Sequence, residues 1–311
     1  MPDKTKIIAI VGPTASGKSA LAVRLARQFN GEIISVDSRQ VYRGLDIGSG
    51  KVKIGDRKGV KHYLLDVASL KRLAIGEFTA AHYKKLAERA TVDIMNRGKL
   101  PIFCGGTGFY LAAVLGVVTL PPVPPNRALR ARLEKLSAEE LLTKLKILNP
   151  ARAAKIDSKN RRRLIRAIEV ARAKNGKDSP FRDFKDCPLK FCEILKIGIL
   201  VEKGKLRQRI NQRLASEFQS GLLAEVKGLQ QRGLPWRRLD DLGLEYRFVS
   251  RYLRQQLTKN EMIQQLQTAI WHYAKRQLTW FKRDKEIVWV KTPTAAARLT
   301  RDFLKKSDKV E

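Results

Sequence analysis

Along most of this chain, short and uniformly apolar runs alternate with longer stretches whose apolar residues recur every three or four positions. Ile7–Val11 is apolar throughout, the pattern of a strand buried on both faces. In Ser19–Phe29 the residues Leu21, Leu25 and Phe29 recur at a spacing of four, which predicts a helix. Glu32–Val36 and Leu100–Cys104 read as further strands, His62–Val67 as a shorter one and Phe78–Arg97 as a helix. Much later, Glu193–Val201 and Glu286–Val290 are strand-like again. The rhythm predicts an α/β fold whose parallel sheet is assembled from both ends of the chain.

The middle follows a different rule. Leu120-Pro-Pro-Val-Pro-Pro125 favours an extended linker. Arg127 to Asn175 is rich in helix formers, with a break at Asn149-Pro150, and residues 176–190 read as an irregular return to the sheet. The expected organisation is a core of residues 1–119 and 191–311 carrying a helical insertion over 120–190. From Lys205 to Arg283 the pattern is again mostly helical, interrupted near Gly233-Leu-Pro235. A length of 311 residues agrees with about two domains, or one large domain with an insertion.

Composition changes this picture mainly through charge. Sixty-three Lys and Arg against 30 Asp and Glu leave a net +33. The excess is spread over the whole body: +10 over residues 1–120, +11 over 121–190 and +12 over 200–311. Such a surface expects a polyanionic partner, with nucleic acid favoured over anionic lipid. No apolar run approaches the ~18 residues of a membrane span, and the N-terminus does not read as a signal peptide. The cysteines Cys104, Cys187 and Cys192 match no zinc spacing, which suits reduced thiols in a cytoplasmic protein. No stretch reads as a dimer seam, so a monomer is expected.

Three segments carry candidate chemistry, and each follows a predicted strand. Gly12-Pro13-Thr14-Ala15-Ser16-Gly17-Lys18-Ser19 fits G-x-x-x-x-G-K-[ST] between a buried strand and an amphipathic helix. Backbone N–H groups there form an anion nest at a helix N-terminus, Lys18 adds a positive charge, and Ser19 can reach a Mg²⁺ directly or through water. The fold expected is therefore a P-loop NTPase-like parallel sheet flanked by helices, with an inserted helical domain. Asp37, with Ser38, Arg39 and Gln40, follows the second strand. Strand ends of an open parallel sheet converge on the ligand crevice, so Asp37 is a candidate general base or Mg²⁺ ligand, or else caps the next turn. Gly105-Gly-Thr-Gly-Phe-Tyr110 holds the same position after Leu100–Cys104, with Thr107 offering a hydroxyl. Arg161-Arg-Arg-Leu-Ile-Arg166 opens a helix on which Arg162 and Arg166 share a face, suited to phosphate contact or to plain solvation. Tyr273-Ala-Lys-Arg-Gln-Leu-Thr-Trp-Phe281 mixes basic and aromatic residues, as base stacking and phosphate contact would require.

In this order, G-P-T-A-S-G-K-S, I-S-V-D-S-R-Q-V-Y, G-G-T-G-F-Y, R-L-I-R-A-I-E-V and Y-A-K-R-Q-L-T-W-F resemble the tRNA dimethylallyltransferase family over about residues 7–283. The resemblance implies transfer of a dimethylallyl group from dimethylallyl diphosphate to N6 of the adenosine 3′ of the anticodon, with Mg²⁺ as cofactor. It also implies that the loop holds a diphosphate leaving group in place of ATP. Asp37 would then take the amine proton and Thr14 would assist catalysis, while residues Gly12 to Ser19 bind diphosphate. Asp37, Ser38, Arg39, Gln40, Thr107, Arg130, Arg162, Arg163, Leu164, Ile165 and Arg166 would contact the anticodon stem-loop, which the insertion would grip.

The chain departs from the family at Arg162, usually glutamine. It departs again at Ala269-Ile-Trp-His272, usually ending T-R-Q, and at Leu242-Gly-Leu-Glu-Tyr-Arg247, which replaces I-G-Y-K-E. No zinc-finger segment like that of eukaryotic members is present, which makes the resemblance one to the bacterial type. Two other readings remain at this stage. A small-molecule kinase accounts for the loop and Asp37 but not for the charge. A non-catalytic RNA-binding protein accounts for the charge but gives the loop no purpose.

Overall fold

The computed structural model describes residues 5–70, 78–175, 189 and 192–306. They divide into two compact units, Met1–Val118 with Cys187–Glu311, and Thr119–Asp186. In chain order the first unit begins with β1 (Lys6–Val11), α1 (Lys18–Gln28), β2 (Gly31–Val36), β3 (His62–Tyr63), α2 (Ala80–Asn96), β4 (Leu100–Gly105) and α3 (Gly108–Val114). The second unit holds α4 (Arg127–Leu133), α5 (Ala138–Leu148), α6 (Pro150–Ala153) and α7 (Arg161–Asn175). The first then resumes with β5 (Glu193–Ile199), α8 (Lys203–Gln219), α9 (Leu222–Gln231), α10 (Trp236–Leu242), α11 (Leu244–Leu253), α12 (Lys259–Phe281), β6 (Val288–Val290) and α13 (Pro293–Lys305).

All the strand pairings are parallel, in the order β3-β2-β4-β1-β5-β6. The sheet is thus built from both ends of the chain. β1, β2 and β4 are buried without alternation because both faces are covered. One face buries Ile7, Ala9, Val11, Ile34, Val36 and Phe103 in a core that includes Tyr83 and Ile94 of α2, Leu111 of α3 and Val226 of α9. The other buries Ile8, Ile10, Ile33 and Ile102 in a core with Leu21 and Leu25 of α1 and Ala296 of α13. Leu206, Ile210 and Leu214 of α8, four residues apart, pack with Leu266, Ile270 and Ala274 of α12.

One expected element changes. The strand over His62–Val67 ends at Tyr63, because Leu64 and Asp66 take left-handed backbone angles, φ +62° and +59°. From there the chain pairs with the loop after β2. Asp66 N–H donates to Gln40 O at 3.1 Å, Ala68 N–H to Val41 O at 2.8 Å, and Arg43 N–H to Ala68 O at 2.9 Å. These bonds fasten the segment that carries Asp37.

The second unit has its own core of Leu133, Leu141, Leu145, Ala153, Leu164, Ile165 and Ile168. Its helices start where the sequence provides caps. Ser137 and Glu140 form a capping box on α5, and Asn149 accepts from Arg152 N–H with Pro150 in the first turn of α6. The expected irregular return, including Cys187, lies outside the described residues except for Leu189.

Candidate active site

The register of the sheet lines up the ends of its strands. Val36 of β2 pairs with Gly105 of β4, Gly105 with Val11 of β1, and Val11 with Gly198 of β5. The three loops that follow β2, β4 and β1 therefore leave the sheet side by side. With neighbouring strands ~4.8 Å apart, Asp37 and Gly12 stand roughly 10 Å from each other, across the β4 loop.

On the β1 side, residues Gly12 to Ser19 pass from the strand into α1. Lys18 Nζ donates to Pro13 O at 3.1 Å. Its burial lowers the ammonium from its ordinary value, with nearby Arg213 adding to the effect and Cys104 and Asp37 opposing it. Ser16 Oγ is buried and, among the described residues, has no hydrogen-bond partner, a donor suited to a phosphate oxygen at the helix N-terminus. Ser19 hydrogen-bonds the Cys104 thiol, which burial pushes up to about 11. That thiol is an inert group packed under the loop.

On the β2 side, Asp37 Oδ1 accepts from the N–H groups of Arg39 at 2.8 Å and Gln40 at 3.3 Å. One carboxylate oxygen thus caps the turn and fixes the side chain. Among the described residues Oδ2 has no hydrogen bond, so turn capping and base function are compatible. Ser38 N–H donates to Thr107 Oγ1 at 3.1 Å, which joins the β2 loop to the β4 loop. The Gln40 amide is committed to the protein itself: Nε2 donates to Ser49 O and Gly50 O at 3.3 and 3.2 Å, and Oε1 accepts from Ser35 Oγ at 2.9 Å. It holds the loop 46–50.

Helices more than 160 residues away in sequence complete the site. Gln277 of α12 accepts from Thr14 N–H at 2.8 Å and donates to Gly106 O at 3.0 Å. It pins the β1 loop to the β4 loop, and a Cβ at position 106 would collide with its amide. From α8, Arg213 Nη1 donates to Thr14 Oγ1 at 3.0 Å and Arg209 Nη1 to Ser16 O at 3.2 Å. Two guanidinium groups and Lys18 thus surround the loop with positive charge.

Sequence reasoning identifies the P-loop, Asp37 and Thr107 as candidates but misses Arg209 and Arg213. Gln277 falls in a segment expected to contact RNA. Its burial, with that of Ala274 and Phe281, turns that face inward and leaves Lys275 and Arg276 exposed.

The remaining candidates belong to the second unit. Glu169, 2% exposed, accepts from Arg130 Nε and Nη2 at 2.8 Å each, Arg166 Nη1 at 2.6 Å and Asn126 N–H at 2.7 Å. Burial works to raise this carboxyl, but the two arginines outweigh it and hold it below its ordinary value. Arg162 and Arg163 are exposed at the start of α7. Two of the expected RNA-contact residues have buried side chains: Leu164 is fully buried and Ile165 is 8% exposed, both in the core of this unit. Their side chains anchor the helix that carries the exposed arginines.

A strand, phosphate-loop motif and helix at the end of a parallel sheet, with a carboxylate two strands away, define a P-loop-type α/β fold. Comparison with known proteins narrows the class. The sequence model of the IPP transferase family matches residues 40–284. The tRNA dimethylallyltransferase 2 of Pelobacter propionicus is 45% identical over 281 residues, covering 89% of this chain and 85% of that protein. The crystal structure of the tRNA isopentenylpyrophosphate transferase of Bacillus halodurans superimposes with a TM-score of 0.70 at 33% identity, covering 97% of this chain and 96% of that one. A eukaryotic dimethylallyltransferase acting on tRNA shares the fold, with a TM-score of 0.77 at 22% identity over 98% of this chain and 81% of that one. The chain belongs to the IPP transferase family, the tRNA dimethylallyltransferases. Among its described residues no helix is long and apolar enough to cross a membrane.

Proposed function

We propose that this protein transfers a dimethylallyl group from dimethylallyl diphosphate to N6 of the adenosine immediately 3′ of the anticodon in tRNA. The observation that carries the reading is the placement of Asp37 opposite Thr14, Lys18 and Arg213, with the β4 loop between them. The diphosphate sits in the P-loop nest, where Ser16 Oγ, Lys18 and Arg213 supply donors and positive charge. The amine nitrogen attacks the allylic carbon, the carbon–oxygen bond to diphosphate breaks, and the amine proton passes to the Asp37 carboxylate. An allylic diphosphate ionises readily once charge on its leaving group is stabilised, and fixed donors are the means of doing so. The gap of roughly 10 Å between Asp37 and Gly12 leaves room for nucleophile and electrophile in line. The target base must leave its stack to enter such a site.

Mg²⁺ fits this donor set. Among the described residues no group of three or more His, Cys, Asp or Glu could hold a metal. The ion would therefore sit on Ser19 Oγ, directly or through water, with diphosphate oxygens and solvent completing its shell, which suits Mg²⁺. When bound, it neutralises charge on the diphosphate. The basic surface supplies most of the affinity for tRNA, with Arg162, Arg163 and Arg166 of the helical unit on the anticodon stem-loop. The protein works as a monomer in the cytoplasm, where its tRNA substrate is found.

The test is transfer of radiolabel from dimethylallyl diphosphate to unmodified tRNA with Mg²⁺, followed by nucleoside analysis. Label on N6 of that adenosine supports the reading. Folded, tRNA-binding protein that transfers no label overturns it, and ATP-dependent phosphate transfer would favour a kinase instead.

A further inference from the structure

The Arg213 guanidinium is shared between its own helix and the phosphate loop. Its Nε donates to Glu217 Oε1 one turn along α8 at 2.7 Å, while Nη1 reaches Thr14 Oγ1 at 3.0 Å. Gly50 closes one side: its φ is +58°, and a Cβ there would collide with the guanidinium. That glycine is itself held in place. Gln40 bonds its carbonyl, and Glu225 of α9 accepts from the N–H groups of Asp46, Ile47 and Gly48 at 3.0, 2.7 and 3.1 Å.

Behind Arg213 stand two buried carboxyl groups. Glu217 and Glu245, on α8 and α11, are each 7% exposed, and among the described residues Glu217 Oε2 has no hydrogen-bond partner. Glu245 lies in the stretch Leu242-Gly-Leu-Glu-Tyr-Arg247 at the start of α11. Two ionised carboxylates with one guanidinium would leave a net negative charge, out of water, beside a site for an anion. Such a cluster keeps a proton. Burial first, and then Glu217, push Glu245 up to about 8. Burial also raises Glu217, against the pull of Arg213.

We propose that Glu217 is a positioning residue of the diphosphate site: from one turn along α8 it holds the Arg213 guanidinium against Thr14, with Glu245 buried nearby as a carboxyl whose ionisation opposes the anion. This rests on the reading of the P-loop as a diphosphate site. The charged and titratable groups that act on the pair are Arg213 on α8, Asp37 after β2, Glu225 on α9, Tyr246 on α11 and Tyr273 on α12. Raising the pH through about 8 ionises Glu245 and releases its proton to solvent. The pair then carries two negative charges, repels the diphosphate and draws Arg213 back.

The experiment measures binding of inorganic diphosphate by calorimetry between pH 7 and 9, with steady-state kinetics alongside. Glu217→Gln keeps the shape but loses the charge that orients Arg213. It should weaken diphosphate binding about tenfold and raise KM for dimethylallyl diphosphate by a similar factor, with a smaller change in kcat. Glu217→Asp should recover part of the loss. Glu245→Gln imitates the protonated group, so its affinity at pH 7 should stay within about twofold of wild type, while the wild-type fall towards pH 9 shrinks. Ionisation of diphosphate itself is common to both proteins and cancels in that comparison. A folded Glu217→Gln protein with wild-type affinity and KM overturns the proposal, as does a Glu245→Gln protein with the full wild-type pH dependence. If wild type itself fails to bind diphosphate, the site reading falls, and the positioning role falls with it.

Discussion

Both units surround arginine with buried carboxylate, but in opposite proportions. In the helical unit one carboxylate, Glu169, serves two arginines, Arg130 and Arg166. In the sheet unit two carboxyls, Glu217 and Glu245, face one arginine, Arg213. The first cluster has positive charge in excess and holds its carboxyl below the ordinary range. The second has negative charge in excess, and Glu245 rises to about 8. The same two residue types thus make a fixed charge in one place and a proton store in the other. Burial raises both carboxyls; at Glu169 two hydrogen-bonded arginines outweigh it, and at Glu245 a second carboxyl adds to it. Arginine serves different purposes as well: Arg213 turns towards the phosphate loop, whereas Arg130 and Arg166 tie α4 to α7.

If chemistry belongs to the sheet unit and affinity to the basic surface, the largest effect should come from Asp37→Ala. Removing a general base should cost turnover at least ~100-fold, about 2.7 kcal/mol in the barrier. Affinity for tRNA should stay within about twofold, because Asp37 Oδ1 bonds only backbone N–H groups of its own turn. Single-turnover rates and filter binding on the same preparation measure the two quantities. Full turnover in the variant would remove Asp37 as the base.

Next in size is a pair of identical substitutions with opposite expected signs. Glu169→Gln deprives two arginines and the Asn126 N–H of a charged acceptor. Since Arg130 and Arg166 remain about a third exposed, solvent limits the loss to about 1–3 kcal/mol. Hydrogen exchange in α4 and α7 would register it. Glu245→Gln should stabilise the protein, and only on the alkaline side. Between the ordinary carboxyl pKa of ~4.3 and about 8, the folded protein binds more protons than the unfolded chain, so its stability falls as pH rises. The variant lacks that fall. Thermal unfolding should show it matching wild type near pH 4 and exceeding it near pH 8.5. For Glu169 the sign reverses: its contribution is present above the ordinary carboxyl value and disappears as pH falls through its lowered value. Two Glu→Gln proteins that shift the same way at pH 8.5 would refute the contrast between the clusters.

The parts of the site that follow strands were legible in the sequence, since a phosphate-loop motif, an Asp and a Gly-rich turn after apolar runs imply one edge of a parallel sheet. Arg213, Gln277, Glu217 and Glu245 were not. Helical periodicity marks Leu206, Ile210 and Leu214 as the inward stripe of α8, but it does not say what the residues beside that stripe meet. Thr14 and Gln277 are 263 positions apart, and only the folded topology joins them. The short β3 was misjudged for a related reason. Its apolar run continues to Leu65, but cross-bonds from Gln40 and Val41 pull the chain out of the sheet. Within the Arg161–Arg166 segment, the apolar character of Leu164 and Ile165 marks them as core positions beneath the exposed arginines.

The smallest expected effect tests why those arginines are there. Arg161, Arg162 and Arg163 occupy the first turn of α7, which has no acidic residue. Positive charge at a helix N-terminus opposes the macrodipole, at a cost of about 0.3–1 kcal/mol per residue. Arg161 recovers some of this by donating to the carbonyls of Glu134 and Leu136 at 2.6 and 2.8 Å, beyond the end of α4. Arg163 has no such bond among the described residues, and its side chain is exposed. A residue that opposes its own helix is explained if it contacts a polyanion. Arg163→Ala should therefore leave the helical unit as stable or slightly more so. It should also lower the slope of log K against log salt for tRNA by about 1, with turnover at saturating tRNA unchanged. An unchanged slope would assign the first turn of α7 to solvent and move the tRNA contact elsewhere on the basic surface.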